Sequence, residues 1–289
     1  MRRSDDESGV VLVNVLVVLA IAGGLMVLLV STQEAALDRV ARAVDASVAE
    51  QIAYGAEASV VDALRRDLDT APEVDHFKEP WALSVIQKEV SLPTGKFSVQ
   101  IMDLQSKFDI NLLANVTLGT QEFARRLFIA TGQPPEAVNQ ISRILGVLGG
   151  VARLNDLAAF GVAQTTLDAL APYVTALPVA GTINLNTVDP LLLGIMLQND
   201  NQAGRMVRLR DSRGFITLDA MKDAGVLRPQ NSGFTSNAYR VEVFAQTGAA
   251  EIRLQSTVIR RNSLGVKAVT ILERQFVYDL PDAPEDQSR

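Results

Sequence analysis

The segment from Val10 to Val30, VVLVNVLVVLAIAGGLMVLLV, has Asn14 as its one strongly polar residue. As an α-helix rising ~1.5 Å per residue it covers roughly 30 Å, the thickness of a bilayer's hydrocarbon core. A secretory signal has a shorter apolar region, about 7–15 residues, and ends at a small-residue cleavage site. Here the run continues without proline into STQEAALDRVARAVDASVAEQIAYGAEASVVDALRRDLDT. Leu37, Val40, Val44, Val48 and Ile52 recur three and four residues apart, and Val60, Val61, Leu64 and Leu68 resume the stripe. Asp38, Arg39, Arg42, Asp45 and Glu50 fall mostly between them, and Pro72 is the first helix breaker. The pattern predicts one helix from 10 to about 69, half in lipid and half in water, on the order of 90 Å long.

That geometry argues against a disposable signal, because a removed segment has no reason to share a helix with the mature domain, and leaves a plain uncut anchor as the alternative to a processed, retained helix. The remaining chain of this 289-residue protein is long enough for two modest domains. With 33 acidic against 27 basic residues it lacks the basic balance of a nucleic-acid binder. The absence of cysteine rules out disulfides, thiol nucleophiles and thiolate metal sites. His76 is the single histidine and Trp81 the single tryptophan.

Beyond Pro72 the period changes. KFSVQIMDL (96–104) alternates Phe97, Val99 and Ile101 against Ser98 and Gln100, as a half-buried strand does, with LPTG supplying a turn before it. Residues 112 to about 233 read as short apolar helices punctuated by Gly, Pro and Asn. Strands return at AYRVEVFAQ (238–246), AEIRLQSTVIRR (250–261) and AVTILERQFVY (268–278), joined through TGAA and NSLGV as a three-strand meander. Consecutive strands usually pair, so strands parted by a helical block imply a domain inserted into an α+β domain. The block carries a weak repeat. VARLNDLAAFGV (151–162) matches FITLDAMKDAGV (215–226), and FDINLL (108–113) matches TINLNT (182–187). A Gly closing a short helix is ordinary capping chemistry, and INLNTVDP predicts a helix start with Thr187 or Asp189 capping and Pro190 in the first turn.

Gly9 ends a short charged leader at the lip of the apolar run. Together with the retained helix, this resembles the N-terminus of type IV pilin-like proteins. The resemblance implies cutting by a prepilin peptidase between Gly9 and Val10, with methylation of the new N-terminus. Asn14 stands fifth after that cut, where most pilin-like subunits carry a Glu that pairs with the neighbouring subunit's amine. A subunit lacking it is similar to the minor pseudopilin K of type II secretion systems, and a subunit with nothing stacked above it needs no pairing group. Asn14 is equally compatible with a tolerated polar residue aiding helix contacts. The likeness covers nearly the whole chain, with IMDLQSKFDINLL (101–113) and VTALPVAGTINLNTVDP (174–190) as its internal signatures.

The resemblance implies an α+β fold with a pilin-like antiparallel sheet and an inserted α-helical domain of two sterile-alpha-motif or helix-hairpin-helix-like halves. The expected division is leader 1–9, transmembrane helix 10–30, periplasmic helix 31–69, pilin-like domain 70–111 and 234–280, inserted domain 112–233, and flexible tail 281–289. Expected partners are the I, J and H types of minor pseudopilin, the prepilin peptidase and exported proteins. Ala22, Gly23 and Gly24 offer small side chains for helix packing in lipid. Arg2 and Arg3 bias the N-terminus to the cytoplasm, giving a single pass through the bacterial inner membrane with the bulk in the periplasm.

Rival chemistries fare less well. Helix-hairpin-helix units can bind DNA through a Gly-rich hairpin, and Arg205, Arg208, Arg210 and Arg213 form a basic cluster, so a membrane-anchored periplasmic DNA-binding protein is the alternative. The hairpin itself reads LQNDNQAG, with Asp200 where an anion would approach. Catalysis has no candidate: His76 reads as a loop residue in EVDHFKEPW, Asp103 and Asp109 as turn or capping residues, and no nucleophile motif, P-loop or dinucleotide fingerprint occurs. The family can hold calcium through an acidic segment of the inserted domain. Calcium wants six to eight oxygens, and the matching ISRILGVLGGVARLNDLAAFGV offers only Asn155 and Asp156, so no cofactor or metal ligand is expected there.

Overall fold

The computed structural model describes residues 5–71, 73–85, 87–115, 117–263 and 266–277. Arg2 and Arg3, Pro72, Leu264, Gly265 and the tail 281–289 lie outside them. One helix, α1 (Asp5–Thr70), carries the apolar run and its amphipathic continuation without interruption. Every side chain from Val13 to Val44 is exposed, and burial begins only where the helix meets a sheet. The seam there is Ala49, Ala53, Ala56, Val60, Leu64 and Leu68, spaced three and four apart.

This corrects the expected stripe. Val48 and Ile52 are only half-buried, and Leu37, Val40 and Val44 face outward. Alanine wins the seam because a small side chain lets the helix lie close against the sheet. Burying Val60, Leu64 and Leu68 then contributes ~1.5–3 kcal/mol each.

The sheet is antiparallel, in the order β1 (Gln87–Leu92), β2 (Gly95–Asp103), β7 (Ala238–Thr247), β8 (Ala250–Ser263), β9 (Val266–Val277). Strand β1 is an addition to the expected set and pairs with β2 through a bulge. The sequence QKEVSL lacks clean alternation, so a period-2 reading passes over it. Val99, Ile101, Tyr239, Val241, Val243, Leu254 and Val258 point to α1 and form one core with its seam.

The chain leaves the sheet after Asp103 and returns at Ala238, yet β2 and β7 are direct neighbours, with Asp103 opposite Tyr239. Everything between hangs from one point of the sheet. It contains α3 (Leu118–Ala130), α4 (Ala137–Leu148), α5 (Gln164–Leu170), α6 (Pro190–Leu197), α7 (Asp200–Arg213) and α8 (Leu218–Asp223). These pack on a separate core that runs from Phe108 to Val226. The core starts ahead of residue 112 because Phe108 and Ile110 already face the helices. A short helix, α2 (Pro80–Val85), lies on the linker between α1 and β1.

The block's internal repeat has a structural basis. Two-residue strands β3 (Phe108–Asp109) and β5 (Ile183–Asn184) each open a half, and each pairs in parallel with a two-residue strand closing it, β4 (Val174–Thr175) and β6 (Ser232–Gly233). Asp109 Oδ1 accepts from Asn111 N at 3.0 Å, and Asn184 Oδ1 accepts from Asn186 N at 2.9 Å. Asn111 then binds Val151 N through Oδ1 at 2.9 Å, and Asn186 binds Ile216 N at 2.7 Å, so each half's second asparagine fixes the approach to its last short helical segments. The matched segment 151–162 is a 3-10 turn (Leu154–Phe160) rather than an α-helix, whereas 215–226 holds α8. Both end on a glycine at positive φ, Gly161 at 85° and Gly225 at 66°, as the shared Gly-Val predicts.

Candidate functional site

Two features stand out: the exposed length of α1 ahead of its seam with the sheet, and a polar junction where three parts of the chain converge. In the first, the exposed length from Val13 to Val44 has a mean hydropathy of 2.8 in its apolar window, none of it buried. Asn14 lies exposed on this length, and Gly9 and Val10 are within the helical backbone. A Cβ added to Gly23 or Gly24 would meet nothing within 4 Å, so the small-residue stretch is open to a neighbour. The outward stripe of Leu37, Val40 and Val44 runs on into an open, mostly apolar groove of about 500 Å³, bounded by Val48, Ile52 and Gly55 of α1 and by Leu92 and Phe97 of the β1–β2 hairpin.

The second feature lies where α1, the linker and the sheet meet the helical block. Arg260 on β8 falls at an inward-facing position, in register with Leu254, Ser256 and Val258. Its NH1 donates to Asp67 Oδ2 of α1 at 2.7 Å, and its NH2 is paired with Asp75 of the linker. Asp75 Oδ2 also accepts from Ser236 N at 2.7 Å. Asp103, at the end of β2, accepts from Gln105 N at 2.8 Å, from Ser236 Oγ at 2.6 Å, and from the Thr187 hydroxyl. Asn184 Nδ2 completes the closure, donating to Asp75 O at 3.0 Å and Ser236 Oγ at 2.8 Å. Glu79 accepts from Trp81 Nε1 at 2.7 Å and His76 N at 2.9 Å. All these carboxyls are buried. Burial pushes Asp67 up to about 6, with Asp75 adding to the rise and Arg260 opposing it. Burial likewise pushes Glu79 up to about 7, and Asp103 up to about 6 against its hydroxyl donors.

The residues singled out in the sequence take defined places here. Asp103 and Asp109 do cap 3-10 turns, but Asp103 is also the hub of the junction. Of the two proposed caps, Asp189 serves α6, accepting from Leu191 N at 2.7 Å, whereas Thr187 serves Asp103 instead. His76 stacks on Phe215 with ring centroids 4.9 Å apart, and burial lowers its pKa. The arginines do not act as one group: Arg210 donates to Val188 O at 2.7 Å and is half-buried, leaving Arg205, Arg208 and Arg213 exposed on α7. The N-terminus of α7 is capped by Asn199 and carries Asp200 in its first turn, which disfavours phosphate there.

Asp156 serves as a cap, its carboxylate accepting from Arg153 N at 2.8 Å, and Asn155 beside it is exposed. Among the described residues the acidic group that clusters is Asp67, Asp75 and Glu79, and the Arg260 guanidinium pairs with two of its members, Asp67 and Asp75. Sequence reading passed over Glu57, Asp67, Asp75, Asn184 and Arg260. The available signal was a charge at an inward parity in β8 and two acids on the buried side of α1.

The fold is that of a membrane-anchored, pilin-like protein: a long apolar helix seated on an antiparallel sheet, with a helical domain hung between adjacent strands. The chain is similar to type II secretion system protein K of Pseudomonas aeruginosa, 26% identical over 257 residues that cover 76% of each chain. A chain in the crystal structure of the GspK-GspI-GspJ complex of the enterotoxigenic Escherichia coli type 2 secretion system shares the fold. Its TM-score is 0.64 at 17% identity, covering 83% of this chain and all of that one. No protein-family model matches the chain. The likeness to pseudopilin K read from the sequence thus holds in sequence and in fold.

Proposed function

We propose that this protein is a minor pseudopilin at the tip of a type II secretion pseudopilus, with an assembly role in export across the outer membrane. The observation that carries the reading is the division of α1. Its side chains from Val13 to Val44 are all exposed, and its second half is clamped to a sheet that presents a bulky helical block. A helix apolar on all sides, flanked by a stripe that continues into a groove, is built to be covered by lipid and then by other helices. The similarity to a protein K and to a chain of a K–I–J complex supports the same reading, with I-, J- and H-type minor pseudopilins as its partners.

The protein is a single-pass anchored one, and we infer that its N-terminus faces the cytoplasm and its folded part the periplasm. On this reading the prepilin peptidase cuts between Gly9 and Val10, and Asn14 marks a subunit with no pairing neighbour above it. The helical block then ends the stack sterically, so the role is mechanical rather than catalytic. The helical block gives no reason to prefer DNA: its Arg210 is spent on backbone carbonyls within the block.

Intact mass of the membrane-extracted protein, from cells with and without prepilin peptidase, tests the reading. A methylated chain starting at Val10 only when the peptidase is present is the expected result. A chain starting at Met1 in both strains would overturn it.

A further inference from the structure

We propose that the junction between sheet and helical block is a proton-operated clasp, in which proton uptake by Asp67, Glu79 and Asp103 tightens the seat of the block. Four buried carboxyls converge there: Asp67 from α1, Asp75 and Glu79 from the linker, and Asp103 from β2. One guanidinium, Arg260 of β8, meets this group, and it is shared between Asp67 and Asp75. The other titratable groups facing them add no positive charge near neutral pH. Tyr239 of β7 is a buried phenol against Trp81, and His76, whose Nε2 lies 3.9 Å from Glu79 Oε1, has its pKa lowered by burial against Phe215. The helical block and its return to the sheet answer with Asn184, Thr187 and Ser236, which donate hydrogen bonds but carry no charge.

Charge is therefore in surplus on the acidic side. One carboxyl oxygen from each of Asp67, Asp75 and Glu79 lies within 4.8 Å of the others. Asp75 Oδ1 is buried without a hydrogen-bond donor. A proton from solvent, taken up by a carboxylate here, removes one like charge and supplies one O–H donor to a site short of donors. A buried carboxyl whose folded pKa lies above its ordinary value near ~4 binds its proton more tightly folded than unfolded. From about 7 for Glu79 and about 6 for Asp67 and Asp103 downward, folding thus takes up protons, and stability rises as pH falls. This is the reverse of the behaviour of a salt-bridged carboxylate with a depressed pKa.

Trp81, the single tryptophan, donates to Glu79 and so reports on it directly. The experiment follows its fluorescence in the full chain in detergent micelles, titrated from pH 8 to 5, alongside urea unfolding at the same pH values. The expected results are a fluorescence transition with its midpoint near the Glu79 value of about 7, and an unfolding midpoint that climbs as pH falls. Glu79→Gln should abolish the fluorescence transition, and Asp67→Asn should flatten the rise in the unfolding midpoint. No transition in the unmodified chain, or an unfolding midpoint that is level or falls on acidification, would overturn the clasp without bearing on processing or assembly. So would a pH dependence unchanged in both variants. Should either variant fail to fold, the titration of the unmodified chain decides alone.

Discussion

Glu57, on α1, and Arg274, on β9, form a forked pair in which Arg274 Nε lies 2.8 and 3.0 Å from the two carboxylate oxygens and NH2 lies 2.6 Å from one of them. The Glu57 side chain is 1% exposed, whereas that of Arg274 is 48% exposed. The Ser256 hydroxyl is the carboxylate's other donor. The energetic weight is therefore lopsided. Arg274→Ala leaves a buried carboxylate with one hydroxyl partner and should cost about 3 kcal/mol, with Glu57→Gln in the same background restoring part of it. Urea unfolding of the single and double variants measures the difference; equal stability of Arg274→Ala and the double variant would contradict this account.

Asn184 is the strap between the block and the sheet. Replacing it with Ala orphans Asp75 O and removes one donor each from Ser236 and Asp103. The expected loss is about 3 kcal/mol, because buried acceptors then go unmet. Limited proteolysis around Thr182, between the two halves of the block, and around Asn237, where the block rejoins the sheet, should accelerate in parallel.

The two faces of α1 should respond in opposite ways. Ala53→Leu forces a larger side chain into the helix–sheet seam and should destabilise by about 1–3 kcal/mol. Val44→Glu, on the exposed stripe, should change stability by no more than about 0.5 kcal/mol yet impair secretion if that stripe meets another subunit. Thermal unfolding and a secretion assay on the same pair of variants separate folding from assembly.

Asp189→Ala removes the N-cap of α6 and should cost about 1 kcal/mol. Thr187→Val instead strips the Asp103 carboxylate of a buried hydroxyl donor. Its effect should exceed that of the cap and grow as pH rises from 5 to 8, because the ionised form of Asp103 depends more on its donors. Denaturation midpoints at both pH values distinguish a cap from a member of the buried network.

The sequence by itself determined the features whose signal is local. A long apolar run without a breaker is a helix whatever surrounds it, and the alternating strands 238–246 and 250–261 needed only one wet face and one dry face. The Gly-Val endings of the repeat were legible because a positive φ favours glycine at that spot regardless of the rest. The interruption of the strand series likewise pointed to a helical insertion. What only the tertiary structure decided was which neighbours meet. The seam of α1 went to its alanines because contact distance against a sheet matters more than side-chain hydrophobicity, and a helical period does not reveal which of two adjacent stripes lies closer. Strand β1 exists because β2 offers it a free edge. The junction of Asp67, Asp75, Asp103, Asn184 and Arg260 joins residues up to 193 positions apart, each unremarkable in its own segment. Their chemistry arises from shared burial, where desolvation and scarcity of donors act on all of them at once, and no local pattern encodes that.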